Sequence, residues 1–219
     1  VTSLLSLAVD RLRVIVCIDG VDISRADGND GADPWHVLVP VNRFVATGEF
    51  TTAVIACCPG CGPDCHAVEA RIRREGDVVR WEWGRRGARW EGERGTALFG
   101  AAAYDAEVSR LGADHGWETA THRAGRLILT DLELPAAVKG VRVRTDDAGT
   151  LEVWLEEPDE YQIFVRVPWD ERRPDESAAA VRDVLAGPPR RWHAEWHSTT
   201  GRQTPPAYAG PSWQQVGWA

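Results

Sequence analysis

Apolar and polar positions alternate over several short runs of this chain. RLRVIVCI, residues 11–18, is apolar and β-branched and predicts a buried strand. FTTAVIA, 50–56, predicts another, which runs into a cysteine-rich stretch. HAVEARIRR, 66–74, alternates, EGD supplies a turn, and VVRWEW, 78–83, alternates again. Together these runs predict a three-stranded antiparallel meander with the cysteines in its first connection. KGVRVRT, LEVWLEE and YQIFVRVPW, separated by DDAG and EPDE, predict a second meander. PPRRWHAEW predicts a final strand.

Helical spacing occurs in three places. ALFGAAAYDAEVSRL, 97–111, is alanine-rich, with Gly112 as its stop. In WETATHRAGRLILTDL, 117–132, Trp117, Ala120, Ala124, Leu127 and Ile128 share one face, and Asp114 is the candidate cap. DESAAAVRDVLAG, 175–187, starts acidic and ends on glycine. Beyond Thr199 the chain is rich in Pro, Gly and Gln and predicts a flexible tail, with Trp213 and Trp218 as docking points. The expected fold is α+β: two antiparallel β-meanders with about three helices packed on them. Residues 1–198 are read as a single domain and 199–219 as a Pro/Gly-rich tail.

Composition adds compartment and charge. With 219 residues, 43% hydrophobic, the chain can bury a core without staples. No apolar run approaches bilayer length, and LLSLAV is too short for a signal peptide, so the expectation is a cytoplasmic protein with no membrane partner. Lys139 is the only lysine and methionine is absent, a bias that suggests a GC-rich bacterial genome; Val1 fits a GTG start codon read literally. The net charge of −8 argues against nucleic acid as a partner. Arginines are dense between Arg71 and Arg94, but Glu75, Asp77, Glu82, Glu91 and Glu93 interleave with them, which reads as a salt-bridged solvated face.

Candidate chemistry concentrates in ACCPGCGPDCHAV, 56–68. Cys58-Pro-Gly-Cys61-Gly62 has the CPxCG form of a zinc knuckle, in which two thiolates curl round one ion and glycine permits the turn. Cys58, Cys61 and Cys65 make the best candidate site for a structural zinc ion. The fourth ligand is sought in Cys57, His66 or a distant histidine. Cys57 and Cys58 are adjacent, so on an extended strand they face opposite ways. A disulfide framework fits a cytosolic protein poorly, and the strand context does not favour a CxxC redox pair. Five reduced thiols packing a turn is the competing reading.

His193 and His197 are spaced as in HExxH, but Glu195 stands one position off the metalloprotease order. On a strand the three share a face, and the plain reading is the solvent edge of a half-buried strand. DGNDGAD, 27–33, lacks a side-chain ligand at Gly31 and does not fit the EF-hand order. A His115 or His122 general base would need a carboxylate and a nucleophile beside it. Eleven tryptophans build either the core or an exposed binding face.

The cysteine/glycine knuckle, GDVVRWEW at 76–83, DHGWET at 114–119, YQIFVRVPW at 161–169 and WHAEW at 192–196 together resemble a large actinobacterial family of uncharacterised proteins. The resemblance spans residues 50–197. Its knuckle usually reads C-x-C-G-x-x-G-C; here the Cys61-to-Cys65 segment is one residue shorter. The resemblance implies an origin and no mechanism. Acidic charge, small size and that origin point to an accessory or immunity-like binding protein with a protein partner. The alternative is a metal-dependent enzyme using the cysteine cluster or the His193/His197 pair.

Overall fold

A computed structural model describes residues 2–60, 62–86, 93–146, 148–158 and 160–217, with the side chains of residues 27, 62–65, 93 and 94 left aside. The fold is α+β, and it gathers into two compact units, Val1–Trp117 and Glu118–Ala219.

In the first unit, β1 (Leu5–Asp10), β2 (Arg13–Ile18) and β3 (Val21–Asp22) form an antiparallel sheet. The LSLAVD run is thus a strand, turned into β2 through Arg11 and Leu12 at positive φ. A second sheet runs in the order β4 (Asp30–Gly31), β5 (Thr51–Cys58), β6 (Gly62–Glu75), β7 (Val78–Arg85), β8 (Glu93–Gly100). The meander predicted between 50 and 83 is its centre, in antiparallel register. The sheets meet where Val14 N–H donates to Ala32 O at 2.8 Å. Gly31 makes that approach possible, because a Cβ there would stand 2.2 Å from the Val14 carbonyl oxygen.

The predicted 97–111 helix begins later. Residues 97–100 belong to β8, pairing with β7, and α2 spans Ala101–Ala113. Ala97 and Phe99 are buried while Leu98 is exposed, so the period there is two, and strand pairing overrides alanine's helix propensity. A short helix, α1 (Pro34–Leu38), precedes β5; the Asp33 side chain caps it by accepting from Trp35 N–H at 2.8 Å. Trp81 is fully buried at the heart of this core, stacked on Phe44 and edge-on to Phe99 and Tyr104. The edge strand β1 is clipped by α2. Leu7 N–H donates to Glu107 at 2.6 Å, and Arg110 donates to Leu7 O.

In the second unit one sheet runs β13 (Gln214–Gln215), β12 (Ala194–Ser198), β11 (Tyr161–Pro168), β10 (Thr150–Glu157), β9 (Gly140–Thr145). The second predicted meander is β9–β10–β11, antiparallel throughout. Two packed helices, α3 (Ala120–Leu129) and α4 (Pro174–Ala186), lie on it, burying Ile128, Leu129, Val181 and Leu185 with Leu151, Val153, Leu155, Ile163 and Val165. The predicted 117–132 helix is shorter at both ends, because Thr119 caps it by accepting from His122 N–H, whereas Asp114 closes a tight turn by accepting from Gly116 N–H. The segment after Thr199 is docked as well. Trp213 is buried and stacks on Trp192, and β13 pairs in parallel with β12. Gly210 permits the docking: a Cβ there would lie 1.9 Å from the Arg190 carbonyl oxygen.

Candidate functional site

The cysteine turn follows β5. A register shift between Val54 and Ala56 interrupts the alternation, so Ile55, Ala56 and Cys57 are all buried. Cys57 points inward, its Sγ 3.9 Å from Gly31 O, and burial pushes its thiol pKa up. Cys58 is half-buried at the end of β5, where the register shifts again. Both lie beside a pocket of about 170 Å³ lined also by Arg13, Asp33, His36, Pro59 and Gly60. Cys17 and Cys57 are free thiols. Cys61 and the Cys65 side chain lie outside the described residues, and His66 is exposed on β6. Among the described residues no three metal-binding side chains gather into one site.

The calcium-like loop resolves into structural roles. Asp30 pairs with Arg13 at 2.8 Å and Asp33 caps α1. Within the arginine-rich stretch Arg71 and Arg80 pair with the interleaved Glu82, whereas Arg86 pairs with Glu69 and Arg74 with Asp105, both outside the stretch.

His193 and His197 line different pockets. His193 lines one with Phe164, Arg166 and Glu195, whereas His197 lines another with Arg202 and Val216. Glu195 is engaged by Arg166. Near α3, Glu118 is paired with Arg126, with a second contact at 3.0 Å, and the Thr119 hydroxyl is 2.7 Å from His122 Nδ1.

A cleft of about 670 Å³ lies in the second unit. It opens between the loop after α3 and the end of α4. Leu132, Leu134, Leu185 and Trp192 supply apolar wall, while Asp131, Glu133 and Asp183 stand around it exposed. Arg182 also lines it, but its guanidinium donates to Leu127 O and Thr130 O, both at 2.7 Å, capping the end of α3. Tyr208 closes one side, and its hydroxyl donates to Glu157, a carboxylate only 7% exposed. Burial, reinforced by that carboxylate, raises the Tyr208 pKa far above the ordinary phenol range, so it stays a neutral donor. The tryptophan walls are held in place: Trp192 Nε1 donates to Gly187 O at 2.9 Å and Trp213 Nε1 to Pro189 O at 3.1 Å.

Sequence reasoning passed over this cleft. One signal was present: Glu157 shares parity with Leu151, Val153 and Leu155 in LEVWLEE, placing an acid on the buried face. Its partner Tyr208 is 51 residues away in the presumed tail, and no local pattern connects the two. His36 likewise carried no motif.

Comparison with protein-family models, with curated proteins and with solved structures yields no match to this chain. No helix among the described residues is long and apolar enough to cross a membrane.

Proposed function

We propose that the protein is a binding protein that works through the cleft of its second unit, with the cysteine turn of the first unit as a structural knuckle. The observation that carries this reading is the cleft itself. Its volume of about 670 Å³ falls in the range of small-molecule sites. Its apolar wall is preformed by packed tryptophan and leucine side chains, so little ordering is needed on binding. A ligand-observed NMR screen of small apolar fragments tests it. Hits should displace one another and shift the amides of residues 131–134 and 183–187. Fragments that bind only elsewhere, or not at all, contradict it.

The knuckle reading concerns zinc. Cys58, Cys61 and Cys65 are the proposed thiolate ligands, and His36 joins Cys57 and His66 as a candidate for the fourth place because it lines the Cys58 pocket. Cys57 fits that place less well, buried and turned toward Gly31 O. A zinc ion there would be structural, tying the β5–β6 connection to α1. Metal content of the purified protein, wild type against Cys61→Ser, tests it: one equivalent lost with the thiol supports the site, and metal-free folded wild type removes it. The resemblance to an actinobacterial family remains part of the proposal and adds no mechanism.

A further inference from the structure

We propose that the cleft selects a small organic cation, an amine or guanidine carried on an apolar body. The inference rests on the cleft being the binding site and adds the ligand's chemistry.

The charge around the cleft is one-sided. Asp131, Glu133 and Asp183 line it, and among the described residues none has a hydrogen bond or ion pair to a cation. The single basic residue of the lining, Arg182, is engaged through its Nη1 by helix carbonyls. Its guanidinium sits on two carbonyls at the negative end of α3, both at 2.7 Å. The next basic residues along the chain, Arg190 and Arg191, are not part of the lining. An anionic ligand would therefore meet three carboxylates against a single guanidinium, whereas an ammonium group meets a net negative lining.

The hydrogen-bonding polarity agrees and comes from a separate contact. Tyr208 spends its only proton on Glu157, so what it can offer a ligand is lone pairs. The buried Glu157 carboxylate behind it adds negative potential from the same side. Cleft carboxylates and phenol oxygen thus all accept, and a ligand made of N–H donors matches them. Leu132, Leu134, Leu185 and Trp192 supply an apolar wall, so a bare inorganic cation would leave most of the cleft unused. A compact apolar chain ending in an ammonium group satisfies both parts.

Isothermal titration calorimetry with octylammonium chloride, octan-1-ol and sodium octanoate tests the inference on the full chain. These probes share the apolar body and differ in the head. Octylammonium should bind with heat, octanol more weakly, and octanoate not measurably. Glu133→Gln together with Asp183→Asn, both exposed and away from the core, should weaken octylammonium about tenfold and leave octanol unchanged. If octanol or octanoate binds as tightly as octylammonium, or the double variant binds octylammonium like wild type, the cation selectivity is overturned while the cleft stands. If none of the three binds, the cleft reading falls with it.

Discussion

Removing one oxygen atom from the core of the first unit should be expensive. Tyr104 is 1% exposed; its hydroxyl donates to Phe44 O at 2.6 Å and accepts from Trp81 Nε1 at 3.1 Å. Phe44 and Trp81 are themselves fully buried, so water cannot replace the hydroxyl at either contact. Tyr104→Phe keeps the ring and its packing against Trp81 and Phe99. It leaves one carbonyl and one indole N–H without partners. Each stranded group costs about 1–3 kcal/mol, and relief of the hydroxyl's own desolvation returns roughly 1 kcal/mol, so the expected loss is about 1–5 kcal/mol. Urea denaturation followed by circular dichroism measures it, with the midpoint falling and the slope unchanged. The mechanism has its own signature. In a Trp81→Phe background the indole donor is already gone, and Tyr104→Phe should cost about 1 kcal/mol less than in wild type. A Tyr104→Phe protein within about 0.5 kcal/mol of wild type, well below the cost of a single stranded buried group, would refute the reasoning.

Other perturbations bear on other parts of the molecule. Arg182→Ala should cost about 1–2 kcal/mol by uncapping α3, read by denaturation and by faster amide exchange at the end of that helix. Gly210→Ala drives a Cβ into the Arg190 carbonyl and should cost about 1–3 kcal/mol, with loss of the near-ultraviolet signal of the Trp192–Trp213 stack. The Arg110 guanidinium, helped by Leu7 N–H, holds Glu107 below its ordinary pKa. A lowered carboxylate stabilises above the unfolded value, roughly pH 4, and the gain is lost as pH falls through the folded value, so Glu107→Gln should flatten the acid limb of a stability-versus-pH curve. His36→Ala should lower zinc content if His36 is the fourth ligand and leave it at one equivalent if another side chain is.

Much of the fold was legible because the strands alternate cleanly. EGD between two alternating runs fixed the β6–β7 hairpin, and DDAG and EPDE did the same for β9–β10–β11. Misreadings arose where composition and pairing disagree. ALFG looks helical by content, yet Ala97 and Phe99 face a core that only strand geometry can reach. LLSLAV is too short to announce itself by pattern, and the pairing of LSLAVD with β2 is what makes it a strand. The division between Trp117 and Glu118 carries no linker composition. The site divides the same way. Strand geometry alone would put Cys57 and Cys58 on opposite faces, but the register shifts between them and both border one pocket. The cleft depends on Tyr208 meeting Glu157 and on Arg182 being spent on helix carbonyls, contacts that exist only once the chain has folded.

The most direct test of the central claim is a two-dimensional NMR titration of the labelled protein with octylammonium chloride. The account predicts saturable shifts at Leu132, Leu134, Asp183 and Leu185 and at the Trp192 indole N–H, which lies in the cleft wall bonded to Gly187 O. Saturable shifts confined to other residues, with the Trp192 indole unmoved, would contradict it.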